Sequence, residues 1–330
     1  MAVEYRERIV DSRIRELTEQ MECVTVKCPD MSGFDTLVSL FTADKLRKSD
    51  VQGEEPDIIM RTMSLFESGE SDGSISLSEL FSGNTITSCT SSFTEKSVIK
   101  NMVRGGWPIA LASGRTGSKD AKAFLDRLKD IDLIKPIAPV VGTTTSFSEV
   151  IRNMEKPISR LTADKRLDML KDAMVVENVP SWILGVRPGD RLIVADKWFF
   201  TDPSLVAALL DVTPSALRNR RADLERIFSN LCIRDLRVYL TPLDGKMYHY
   251  FTRTRFEGGF IMELPDGRWA SFMPCTDVSR HDSIAHDLGI IAKAESDRGK
   301  PVFSMIVTLE GDAYVREDGI LVVPVSCLRP

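Results

Sequence analysis

The chain has 330 residues, 43% hydrophobic and 28% charged, the composition of an ordinary globular protein with material for one large or two medium domains. Its formal net charge of −5 argues against a surface that coats nucleic acid, though not against a local basic channel. No apolar run nears the roughly 18 residues of a bilayer span, so no membrane partner is expected. Six scattered cysteines with no CxxC pair, and only three histidines, argue against a zinc site and for free thiols in a reducing, cytoplasmic setting.

Residues 1–21 have the pattern of a charged amphipathic helix, with Val3, Ile9, Ile14, Leu17 and Met21 along one side, and not of a signal peptide. Val24–Lys27 suits a short strand. Residues 51–93 turn acidic and then rich in Ser, Thr and Gly, as hairpins and loops at a domain edge would. A second unit is expected from Lys96 onward. There "WPIALAS" reads as a buried strand, 119–130 as a helix and "IAPVVG" as a second strand, a unit that favours a parallel sheet. A helix over 162–175 follows, carrying Leu167, Leu170 and Met174. "RLIVAD" then reads as a central parallel strand that ends in Asp196. Asp202-Pro203-Ser204 opens another helix, and 214–231 is amphipathic, with Leu217, Leu224, Phe228 and Leu231 on one face. Beyond 236, alternation predicts strands at "RVYLTP", "KMYHYF", "FIMEL" and "RWASFM". Turns at Leu243-Asp244-Gly245 and Pro265-Asp266-Gly267 would join them. A helix near 282–296 and the strands "FSMIVTL" and "GILVVPV" complete the chain, with no fixed-period repeat.

The segment Ser113-Gly114-Arg115-Thr116-Gly117-Ser118-Lys119-Asp120 has the ingredients of a phosphate loop: an apolar run before it, two glycines, a lysine and a helix after it. It lacks the usual G-K-[ST] ending, because Ser118 replaces the last glycine and Asp120 stands at the magnesium-binding hydroxyl. A plain turn with Ser118 capping the helix is the alternative. Asp196 lies 77 residues after Lys119, at the end of an apolar run, where nucleotide hydrolases hold water on magnesium.

Together, "IALASGRTGSKDAKAFLDRL", "RLIVADKWF", "RRADLERIFSNLCIRDLRVYLTP" and "DGRWASF…SRHD" resemble the hexameric packaging NTPases of the double-stranded-RNA bacteriophages, the cystoviruses. The likeness spans roughly 105–285 and lies in order and spacing more than in identity. It implies an α/β fold: a small N-terminal α+β domain at 1–100, a RecA-like parallel-sheet NTPase core at 101–285 and a β-containing C-terminal segment at 286–330. The loop Ser113–Asp120 would hold ATP or another NTP through Lys119, and Asp196 would hold Mg2+ with its water. Glu149, the nearest carboxylate after the second strand, would prime the attacking water, and Thr241 would sense the γ-phosphate. Lys246 would touch RNA in a central channel, and Arg280 would act as an arginine finger on the neighbouring subunit. Tyr248 or Tyr250 could stack on bases. The implied activity is NTP-driven, helicase-like translocation of single-stranded viral RNA into a procapsid by a homohexameric ring. The implied partners are RNA and procapsid proteins, and the implied places are the virion and the host-cell cytoplasm.

Two other readings compete. Residues 205–221 suit a helix-turn-helix, with Ala207 at the crossing, Asp211-Val212 in the turn and Ser215, Arg218 and Asn219 on a recognition helix. The chain would then be a non-enzymatic winged-helix nucleic-acid binder. A phosphohydrolase of the haloacid dehalogenase type would need a strand ending D-x-D, which neither "ESDG" nor "PDMSG" supplies.

Overall fold

A computed structural model describes residues 5–41, 45–49, 55–128, 131–182, 196–251 and 257–330. The first element is an amphipathic helix, α1 (Val10–Gln20), which buries Val10, Ile14 and Leu17; it covers only the second half of the expected 1–21, since residues 5–9 are not helical and Val3 lies outside the described residues. Next come β1 (Val24–Lys27), α2 (Phe34–Leu40), β2 (Leu46–Lys48) and β3 (Ile58–Ile59). These strands form a sheet in the order β2-β1-β3, and both pairings are parallel. A β-α-β unit is therefore present, but it lies near the amino terminus and not at 107–142. Val24, Val26, Leu37, Ile58 and Met60 join the buried face of α1 in a core of their own.

The chain continues through β4 (Ile75–Ser76), α3 (Leu77–Phe81), β5 (Cys89–Thr90) and α4 (Glu95–Arg104). Ser76 caps α3 and Thr94 caps α4, each accepting a backbone N–H three residues on. The strand expected from "WPIALAS" is instead a short helix, α5 (Pro108–Ala112). Pro108 sits at its first position, where the fixed φ suits a helix and the missing N–H costs nothing. α6 (Lys119–Leu125) follows. "IAPVVG" forms a 3-10 turn over Ala138–Val140, again with a proline near its start. The anticipated strand–helix–strand unit is thus built from helices and turns.

α7 (Phe147–Arg152) and α8 (Arg160–Asp172) lead to β6 (Val176–Val179), which pairs antiparallel with β7 (Lys197–Phe200). Then come α9 (Pro203–Leu209), α10 (Pro214–Leu217) and the long α11 (Arg221–Leu240). α11 runs past the expected end at 231 and takes up "RVYL", because Val238, Tyr239 and Leu240 are buried along with it. Pro242 lies in the 3-10 turn that ends it.

The remaining strands are β8 (Lys246–Phe251), β9 (Glu257–Glu263), β10 (Trp269–Cys275), β11 (Ser304–Thr308), β12 (Asp312–Val315), β13 (Leu321–Pro324) and β14 (Leu328–Arg329). Helix α12 (His281–Ala294) lies between β10 and β11. Seven strands form one mixed sheet in the order β5-β12-β13-β11-β10-β9-β8. β8-β9-β10 is an antiparallel meander, β10-β11 and β11-β13 are parallel, and β12 runs antiparallel to both β13 and β5. The boundary expected at 285 therefore passes through the sheet.

Alternation along the strands covers both faces of this sheet. Phe260, Met262, Phe272, Met305, Val307 and Val323 belong to the large core that contains α11. Their neighbours Ile261, Trp269, Ile306 and Val322 pack with Ile284, Leu288 and Ile291 of α12. The architecture is mixed α/β, and no parallel-sheet NTPase fold is seen among the described residues.

Candidate functional site

A buried ionic cluster sets the position of α5. Asp202, the N-cap of α9, accepts from Thr62 Oγ1 at 2.6 Å, from the Gly106 N–H at 2.9 Å and from Arg234 Nη1 at 3.1 Å. Arg234 also donates to Asp235 at 2.7 Å, and Asp235 accepts the Leu65 N–H at 3.1 Å. Trp107 is buried and its Nε1 donates to Ser204 Oγ at 2.9 Å. Four stretches of chain are thereby locked together just before Pro108. The carboxylates on either side hold the Arg234 guanidinium charged against the cost of burial. Burial holds the Asp235 carboxyl above its ordinary range despite Arg234. Residue-by-residue reading finds Asp202 as a helix cap, but not its partner Arg234, 32 positions later on a face that looks like ordinary helix surface.

The loop that follows α5 has some of the features of an anion receptor. Gly114 and Gly117 are left-handed, with φ of +59° and +78°, and nothing lies within 4 Å of a Cβ added to either. The N–H groups of Thr116 through Asp120 find no acceptor among the described residues. Lys119 is exposed and has no ion pair among them. Ser118 makes no side-chain cap on α6. Asp120 points elsewhere: it is buried and one oxygen accepts from Arg115 Nη1 at 2.6 Å.

The other expected site residues make these contacts. Asp196 directly precedes β7 and accepts from Asn178 Nδ2 at 2.8 Å across the β6–β7 hairpin. Residues 191–195 of "RLIVAD", the strand it was expected to close, lie outside the described residues. Glu149 is exposed, and its N–H is accepted by Ser146 at the start of α7, the arrangement of a helix-starting Ser-x-x-Glu. Thr241 donates its hydroxyl to the Arg237 carbonyl at 3.2 Å. Lys246 is exposed at the start of β8, cross-strand from Glu263. Tyr248 is half-buried against the α12 core, and burial pushes its hydroxyl pKa up. Arg280 lies in the 3-10 turn before α12, with its side chain 49% exposed and paired to Glu225 at 2.9 Å. Among the described residues no hydrogen bond or ion pair joins Lys119 to Asp196, Glu149, Thr241 or Arg280.

Asp120 Oδ1 accepts from Arg115 while its buried Oδ2 meets no partner, Asp196 accepts from Asn178, and no group of three His, Cys, Asp or Glu that could hold a metal occurs among the described residues. The helix-turn-helix is not built either. The expected recognition helix is the single turn α10, and Arg218 pairs with Glu95 at 3.1 Å. Arg220 and Arg226 both pair with Asp223, and Arg221 pairs with Asp277. α11, which follows, is buried along most of its length.

One family, described as a domain of unknown function (DUF8612), matches residues 126–216, which run from the end of α6 to α10. That stretch is similar to the family, and its description names no activity. No curated protein and no solved structure matches the chain.

Proposed function

We propose that the loop Ser113–Asp120 binds the phosphates of a nucleotide and that the protein uses this binding in handling single-stranded RNA. The single observation that carries the reading is the loop's row of N–H groups without acceptors, flanked by two left-handed glycines and the unpaired Lys119. Backbone N–H groups that converge beside an ammonium form a receptor for phosphate oxygens.

The likeness to the cystoviral packaging NTPases carries the wider reading: a homohexameric ring that hydrolyses NTP and moves RNA into a procapsid. Arg280 supports it in one respect, since its half-exposed side chain has one exchangeable acidic partner and could turn toward a neighbouring subunit. No hydrolytic step is assigned to Asp196 or to a metal, because no hydrogen bond or ion pair among the described residues links the loop to Asp196. Phosphate binding and hydrolysis are therefore separate claims.

The experiment is titration of the full chain with a fluorescent ATP analogue, followed by phosphate release with and without single-stranded RNA. Lys119→Ala is expected to weaken binding about tenfold or more, the cost of one charged contact, with an unchanged melting temperature. Equal binding by Lys119→Ala and wild type would remove the loop from consideration. Binding without RNA-stimulated turnover would keep the nucleotide site and dismiss the motor.

A further inference from the structure

A cleft of about 780 Å3 is lined by the end of the β1–α2 loop, the start of α2 and α5, and reaches Ser113 just after α5. Its volume is that of a pocket for a small organic molecule. It opens beside the β1–α2 loop, at the carboxyl end of the central strand, the place where open α/β sheets bind ligands.

The chemistry of its wall is asymmetric. Arg6 and Arg8 line it together with the hydroxyl residues Ser32 and Thr36, and none of the lining residues is an aspartate or a glutamate. Arg8 is spent on the fold: it donates to Glu67 at 3.0 Å and to the carbonyls of Ser32 and Arg61. Arg6 is different. It is exposed, it donates once, from Nη1 to the Ser68 carbonyl, and it has no carboxylate partner among the described residues. Ser32 is fully buried, and its Oγ meets no acceptor or donor at hydrogen-bonding geometry. The Cys28 thiol, a weak partner, lies beside it, and Arg8 donates to the Ser32 carbonyl. Met60, Met63 and Ile109 supply the opposite, apolar wall, and Ile109 is 42% exposed with nothing packed over it.

We propose that this cleft is a binding site for a small organic phosphate monoester with an apolar or aromatic body. The phosphate would be held by Arg6 and the hydroxyl of Thr36, and the body would lie on Ile109 over the buried Met60 and Met63. Arginine suits a phosphate through its planar fork of donors. The absence of a lining carboxylate leaves no ligand for a divalent cation, so binding needs no Mg2+. The cleft shares Ser113 with the start of the Ser113–Asp120 loop, but Lys119 does not line it.

The test uses the full chain and 1-naphthyl phosphate, whose fluorescence reports burial, titrated in EDTA beside 1-naphthol and inorganic phosphate. The ester is expected to bind at least tenfold more tightly than either fragment. Arg6→Ala should weaken it about tenfold or more, Ile109→Glu should abolish it, and Lys119→Ala should leave it unchanged. Because Arg6 and Ile109 are exposed, both variants should melt like the wild type. If Arg6→Ala does not fold, Ile109→Glu decides the matter alone. The proposal is overturned if the ester does not bind at millimolar concentration, or binds no better than 1-naphthol. It is equally overturned if a folded Arg6→Ala or Ile109→Glu chain binds like wild type, or if loss follows Lys119 in their place.

Discussion

Glu67 shows how much single buried charges matter here. It accepts from Arg8 at 3.0 Å, with both side chains almost wholly inaccessible, and from the N–H groups of Ser64 and Ile9. Burial pulls its carboxyl pKa up, but Arg8 and the N–H groups outweigh that and leave it below the ordinary value. A carboxyl with a depressed folded pKa contributes stability above its unfolded pKa of about 4.3, and the contribution is lost as pH falls through the folded value. Glu177, depressed by Arg61 and Arg237 against burial, has the same sign, whereas Asp235, held up by burial, has the opposite one. Glu67→Gln should therefore cost about 3 kcal/mol near neutral pH, because Arg8 is left buried without its counter-charge. It should also flatten the fall in stability below about pH 4.5, as measured by urea unfolding at several pH values. A second residue-scale test concerns Gly106. A Cβ added there would lie 2.0 Å from the Met63 carbonyl oxygen, in a segment whose backbone hydrogen bond to Met63 is 2.8 Å. Gly106→Ala should destabilise by about 3 kcal/mol or more, since backbone and not a flexible side chain must give way.

At the scale of elements, the last strand shows how distant segments hold one another. β14 pairs in parallel with β4, Ser71 Oγ donates to the Leu328 carbonyl at 2.7 Å, and Arg329 Nε donates to the Gly73 carbonyl at 2.9 Å. Deleting residues 326–330 should speed amide exchange across 71–81 while leaving α12 protected, a contrast that hydrogen-exchange mass spectrometry resolves. The same element scale explains what could be read from sequence. α1, α12, the β8-β9-β10 meander and its Asp266-Gly267 turn were legible, because their periodicity and turn chemistry agree with where they are buried. "WPIALAS" was misleading because a short apolar stretch fits a strand or a single helical turn equally well, and Pro108 at the first helical position suits the helix. "RVYL" alternates like a strand, yet its burial on both sides extended α11. The parallel β1–α2–β2 unit was missed because α2 has only seven residues and starts at a left-handed glycine, Gly33, with no capping side chain. Of the expected site, Gly114 and Gly117 take the left-handed turn conformation and Lys119 opens α6, as the glycine–lysine–helix order suggested. The register of Asp196 relative to a sheet depended on long-range pairing that spacing alone does not encode.

For the whole molecule, the proposed handling of RNA has to be reconciled with a net charge of −5. Several guanidiniums that look basic in sequence are paired in the fold: Arg218, Arg220, Arg221 and Arg226 each face a carboxylate. A long nonspecific footprint on those side chains is therefore poorly supported, and the proposal rests on fewer cations. Lys246, exposed at the start of the last strand of the seven-stranded sheet, is one, and Tyr248 on the same strand offers a half-buried ring beside it. If RNA passes there, each lysine that meets a phosphate releases about one condensed counterion, less for a single strand than for a duplex. Lys246→Ala should then lower affinity for unrelated single-stranded sequences by a similar factor and reduce the slope of log affinity against log salt by about 0.7. Fluorescence anisotropy with homopolymer RNA at several salt concentrations measures both quantities. Native mass spectrometry of the same samples shows whether six copies share the RNA, as a ring requires. An unchanged slope with wild-type affinity would take RNA away from this edge of the sheet, and the acidic surface would then be left without a nucleic-acid contact at the positions the motor reading assigns.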